Sequence, residues 1–140
     1  MVKLMETWGD LAGKLAAAGV RIEIPKFIGW GSWGLDTLGG WYPETGRLYV
    51  SEQIAHVPLL VRDVMTHEIT HQIQYAISPD GSGGTGINGG PHGDLFRSCA
   101  TRVAGVLGCP SPVEALICGW PHEQRPDGFF GPGVVRKETA

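Results

Sequence analysis

Apolar residues recur at three- and four-residue steps over residues 3–18, where Leu4, Trp8, Leu11 and Leu15 make one stripe. That spacing predicts an amphipathic helix, with Gly19 as its C-terminal cap. Arg21-Ile22-Glu23-Ile24 alternates instead and predicts a short strand ended by Pro25. Residues 27–40 are rich in Gly and carry Trp30 and Trp33, so a loop or irregular strand is expected there. Trp41-Tyr42 and Arg47-Leu48-Tyr49-Val50 flank Pro43-Glu44-Thr45-Gly46, which predicts a hairpin: Pro presets one turn position and Gly supplies positive φ at another.

The longest periodic stretch is residues 58–77. Pro58 suits a first helical turn, where its missing N–H costs nothing. Val61, Met65, Ile69, Ile73 and Ala76 fall on one broad face and Asp63, Thr66, Thr70 and Gln74 on the other, and Ser78-Pro79 stops the helix. A Gly-rich loop over 80–91 precedes a helix from His92 or Gly93 to Leu107, with Leu95, Phe96, Cys99, Val103, Val106 and Leu107 as its core face and Gly108 as its stop. Ser111 caps a short helix to Cys118. Residues 119–140, rich in Pro and Gly, are expected to be an extended tail anchored by Phe129 and Phe130. No internal repeat is present. The pattern predicts one α+β domain over residues 1–140, with a small, mainly antiparallel sheet packed on the 58–77 helix.

Composition narrows the function classes. The chain has 140 residues, 42% hydrophobic and 18% charged, an ordinary balance for one globular domain. Its net charge is −3, and no run of Lys or Arg supplies the footprint of a dedicated nucleic-acid binder. Three widely spaced cysteines, Cys99, Cys109 and Cys118, fit a reducing compartment better than a disulfide framework. Lys3, Glu6, Asp10 and Lys14 interrupt the N-terminal apolar residues, so no signal-peptide core is expected. No apolar run approaches the roughly 20 residues of a membrane span. A cytoplasmic protein without a membrane partner is the expectation.

The candidate chemistry lies at His67-Glu68-Ile69-Thr70-His71. Residues four apart on a helix point the same way, so both imidazoles can share one cation. Glu68 lies about 100° round from His67 and can reach a water on that cation without being a ligand. This is the H-E-x-x-H arrangement of a zinc hydrolase, two ligands and a general base. The ligand line continues the Leu60–Val64 stripe, which sets it at the boundary between a buried and an open face. Catalytic zinc normally takes three protein ligands. Four residues compete for the third place: His92, Glu114, His122 and His56. The extended metzincin pattern is excluded, because Gln74 and Ile77 stand where it needs Gly and His. A deformylase-like site needs a cysteine upstream of the motif, and every cysteine lies downstream. His92 is favoured by its surroundings, Pro91-His92-Gly93-Asp94-Leu95-Phe96: Gly93 permits close approach to another helix, and Phe96 would bury beneath the histidine.

H-E-x-x-H followed, after a loop, by H-G-x-x-F resembles the SprT-like metallopeptidases, the bacterial and phage proteins related to the Spartan protease domain. Arg47-Leu48-Tyr49-Val50-Ser51 also resembles the strand before the helix in that family, and the likeness covers residues 40–107. The resemblance implies a minimal zincin-like domain, one Zn²⁺ per chain held by His67, His71 and His92, Glu68 as general base, and a polypeptide substrate. It also implies association with DNA, which the charge does not support. The C-terminal zinc ribbon of many members has no counterpart here. Two other readings stand beside the peptidase: a structural or binding component of a larger assembly, such as a phage particle, that retains the zinc site, and a metal-dependent hydrolase of a non-protein amide. Tyr75 and Arg97 are secondary candidates for substrate binding or for stabilising an oxyanion, roles open also to His56 and His122. Cys99, Cys109, Cys118 and His122 are a further candidate set for a structural metal; against it, Cys99 fits a core position.

Overall fold

The computed structural model describes residues 3–32, 38–79 and 93–108. The first helix, α1, spans Leu4–Ala17 and buries Leu4, Trp8, Leu11 and Leu15, the predicted stripe. It ends in a Schellman motif: the Val20 N–H donates to the Leu15 carbonyl at 2.8 Å and the Gly19 N–H to the Ala16 carbonyl at 3.0 Å. Gly19 sits at φ 88°, a left-handed conformation that glycine adopts without a side-chain clash. Val20 thereby folds back into the core beside Leu15.

Residues 21–25 do not form the predicted strand. Ile22 is only half-buried and Ile24 is 69% exposed, so the alternation has no buried face behind it. The segment is tied down by a side chain instead, as Gln72 Nε2 donates to the Glu23 carbonyl at 3.1 Å. The strand forms one step later, as β1 over Phe27–Gly31, inside the stretch expected to be loop or irregular strand. The hairpin is as predicted: β2 (Gly39–Tyr42) pairs antiparallel with β3 (Arg47–Ser51), and the Tyr42 carbonyl closes the turn by accepting from the Thr45 and Gly46 N–H groups.

Sheet order is β1-β3-β2, with β1 parallel to β3. The sheet is therefore mixed, not mainly antiparallel. The reason is the extra strand: β1 takes the free edge of β3, and the chain then crosses to the opposite edge before making the hairpin. A single 3-10 turn, Glu52–Ile54, leads to α2 over Pro58–Ile77, and α3 spans Asp94–Leu107. Both helices match their predicted bounds to within two residues.

Leu48 and Val50 on the sheet, Val61, Val64, Met65 and Ile69 on α2, the α1 stripe and Val103 of α3 form one core. Trp8 Nε1 donates to Gln72 Oε1 at 2.8 Å, so Gln72 bridges α1, α2 and the 21–25 segment. The expected division of α2 into apolar and polar faces fails. Thr66, Thr70 and Gln74 are buried, while Ala76 is exposed. The threonine hydroxyls satisfy themselves along the helix, donating to the Arg62 carbonyl at 2.7 Å and the Thr66 carbonyl at 2.8 Å. Packing between the sheet on one side and α1 and α3 on the other leaves α2 covered along most of its length. Among the described residues no helix is long and apolar enough to cross a membrane. The predicted 80–91 loop, the 111–118 helix and the 119–140 tail lie outside the described residues.

Candidate metal centre

The middle of α2 brings His67 and His71 one turn apart on the helix, with ring centroids 4.9 Å apart and planes at 75°. Phe96, reaching over from α3, lies against both, 5.0 Å from the His67 ring and 4.5 Å from the His71 ring. All three side chains are buried. The site does not sit on the edge of an open face, as the helical stripe suggested. Phe96 was expected beneath His92; among the described residues its work is to wedge the two motif histidines.

His71 is oriented by its own helix. Its Nδ1 lies 2.7 Å from Gln74 Oε1, one turn on, and Gln74 is fully buried. An amide oxygen only accepts, so Nδ1 donates, the ring proton is on Nδ1, and Nε2 carries the lone pair. That is the tautomer a metal-binding histidine needs, fixed by the kind of hydrogen bond that orients metal ligands.

Glu68 faces β2, and its two carboxylate oxygens are buried. The strand passes so close that a Cβ on Gly39 would stand 2.8 Å from Val64 Cγ1, 3.0 Å from Glu68 Oε2 and 3.0 Å from the Tyr49 carbonyl oxygen. Glycine at 39 is thus a condition for holding the carboxylate against the sheet. The influence of Glu68 extends to Tyr42, whose phenol is pushed above its ordinary value first by burial and then by the Glu68 charge, with Tyr49 and Glu44 contributing.

The donor pair suits zinc: two buried imidazoles on one helix face, one with Nε2 as its acceptor, while the Glu68 carboxylate, turned toward β2, does not group with them. Among the described residues no third His, Cys, Asp or Glu groups with them. His56 is exposed in the turn before α2 and does not join the pair. His92, Glu114 and His122 lie outside the described residues, as do Cys109 and Cys118. The described chain resumes at Gly93, buried and three residues before the ring wedged between the histidines. Of the secondary candidates, Tyr75 comes within 6.2 Å of the His71 ring, whereas Arg97 is exposed on α3. Cys99 is a buried free thiol, raised above its ordinary value by burial, as a core cysteine should be.

Gln74, Gly39 and Tyr42 escaped the sequence reading. Gln74 had a signal, three residues after a ligand histidine on a helix. Gly39 and Tyr42 had none, because their meaning lies in the approach of β2 to α2. Comparison with protein-family models, with curated proteins and with solved structures finds no match to this chain.

Proposed function

We propose that this chain is a zinc-dependent metalloendopeptidase, in which His67, His71 and His92 hold the metal and Glu68 is the general base. The observation that carries this reading is the buried His67–His71 pair, 4.9 Å apart, with Nδ1 of His71 committed to Gln74. Burying polar side chains costs free energy that packing does not return, and an orienting hydrogen bond on one imidazole serves a ligand role better than a packing role. The short link from His92 to Phe96, which lies against both rings, supports His92 as third ligand over Glu114 and His122.

When bound, Zn²⁺ supplies Lewis acidity, polarising an amide carbonyl and bringing the acidity of water near neutral pH, at about 7. The rest falls to the chain. Glu68 takes a proton as water forms its bond to the carbonyl carbon, and returns it to the leaving amine nitrogen as the C–N bond breaks. Gly39 leaves room for that carboxylate, and Gln74 holds His71. Phe96 and the surrounding apolar side chains keep bulk water from the ligand rings. A polypeptide substrate and one zinc per chain belong to this reading; association with DNA stays with the resemblance alone.

The test is hydrolysis of an unfolded protein by wild type and Glu68→Gln, each with and without chelator. Wild type should cleave and stop on chelation, while Glu68→Gln should keep its zinc and lose nearly all turnover. Equal turnover in the two would remove Glu68 as base and favour the structural role in a larger assembly.

A further inference from the structure

A cavity of about 600 Å³ opens between the C-terminal half of α2 and residues 19–26, with Trp41 of β2 and Arg102 of α3 in its walls. That volume lies within the usual range of ligand pockets, roughly 300–1,000 Å³. Its lining holds none of His67, Glu68, His71 or Phe96, but it lies near Glu68 along both β2 and α2. Gly39 and Trp41 are two apart on β2 and so share a face, about 6.8 Å apart. Glu68 and Gln72 are four apart on α2, about 6 Å along its axis. Gly39 abuts Glu68, and Trp41, Gln72 and Ile73 line the cavity. The cavity thus begins about one helical turn beyond Glu68, and Tyr75, one of its lining residues, has its ring 6.2 Å from the His71 ring.

The chemistry of the walls is specific. Val20, Ile22, Pro25, Trp41 and Ile73 give an apolar floor, and Ile77, 62% exposed, stands at the edge. Arg21, Lys26 and Arg102 add three cations against one carboxylate, Glu23. Elsewhere Lys14 and Arg62 both pair with Asp10, but among the described residues none of these three cations has a carboxylate partner. The Trp41 Nε1, a donor only, is buried and meets no acceptor among the described residues.

We propose that this cavity binds a part of the polypeptide substrate beyond the catalytic centre and selects an acidic residue beside an apolar one. The apolar side chain covers the Trp41–Ile73 floor, and the carboxylate meets the positive field of Arg21, Lys26 and Arg102. This rests on the peptidase reading, so the experiment separates the two.

Zinc-loaded Glu68→Gln chain is titrated with two labelled, capped tetrapeptides, one alternating leucine with glutamate and the other leucine with glutamine, following anisotropy. The glutamate peptide should bind about tenfold tighter, as three weak ion pairs together allow, and the difference should shrink in high salt. Arg21→Glu with Arg102→Glu should abolish the preference; Lys26→Glu alone, at an exposed site, should halve it or more. Equal binding of both peptides, binding of neither, or a preference that survives charge reversal overturns the proposal. Cleavage of unfolded protein by wild type without acidic preference would leave the peptidase and remove the pocket. Selective binding without any wild-type cleavage would do the reverse.

Discussion

Helices α1 and α2 both cross the same core, and they bury opposite kinds of residue. α1 buries Leu4, Trp8, Leu11 and Leu15 and leaves its charged residues at the surface. α2 buries Thr66, His67, Glu68, Thr70, His71, Gln72 and Gln74 within three turns, seven of the eight buried polar side chains among the described residues. Such groups are tolerable only when each is hydrogen-bonded or bound to something. Thr66 and Thr70 bond their own helix, Gln72 bonds Trp8 and Glu23, and Gln74 bonds His71. α1 is a helix whose sequence is explained by packing. α2 spends its interior on a network that packing alone does not require, and the network surrounds the H-E-x-x-H motif.

The contrast is broken most severely by a pair of core truncations. Phe96→Ala and Leu11→Ala should each cost about 2–5 kcal/mol, since both delete a fully buried apolar side chain. Only Phe96→Ala should also weaken zinc binding by the protein that remains folded. Denaturant melts and a zinc competition assay on both variants would show this; equal zinc affinity would mean Phe96 serves packing alone. Gly39→Ala comes next. The new Cβ meets Val64, Glu68 and the Tyr49 carbonyl, so a loss of about 1–3 kcal/mol is expected by overpacking, together with displacement of the Glu68 carboxylate. Turnover should fall further than stability explains, whereas Gly13→Ala on α1, with open space around it, should leave turnover unchanged and raise stability by roughly 0.5–1 kcal/mol.

How much of this could be read beforehand follows the range of the interactions. α1, α2 and α3 were legible because helical periodicity is local, and the β2–β3 hairpin because Pro43 and Gly46 carry turn chemistry. His67, Glu68 and His71 were legible because one helix sets their spacing. β1 was legible only as loop or irregular strand: Phe27-Ile28-Gly29-Trp30-Gly31 shows no alternation of burial, and parallel pairing with β3 is what makes it a strand. The burial of Thr66, Thr70 and Gln74 was missed for the same reason, since it comes from elements packed on both sides of α2. Residues 21–24 alternated without a partner strand, and alternation by itself did not make one.

The network of α2 is sharpened by Gln74→Leu. It removes the acceptor from His71 Nδ1 while keeping volume, and zinc affinity should fall by roughly 10–100-fold with little change in global stability. Gln74→Glu should preserve it. If Gln74→Leu binds zinc as wild type does, the hydrogen bond is not orienting a ligand. The smallest effect belongs to the surface of α1. The Arg62 guanidinium, donating at 2.9 Å, holds the Asp10 carboxyl below its ordinary value of 3.8, against an opposing effect of desolvation and with further help from Lys14. A group depressed in the folded state adds stability above its unfolded value, so this contribution should be present above pH 3.8 and fade as the pH falls through the lower folded value. Asp10→Asn should flatten that slope slightly in acid melts and leave zinc binding untouched.

The most direct test of the whole account is the metal content of the purified chain, measured after removal of loosely bound ions. The account predicts one zinc per chain in wild type and Glu68→Gln, and none in His71→Ala or His92→Ala at comparable folded content. A wild type without zinc, or a full equivalent of zinc kept when both His67 and His71 are replaced, would contradict it.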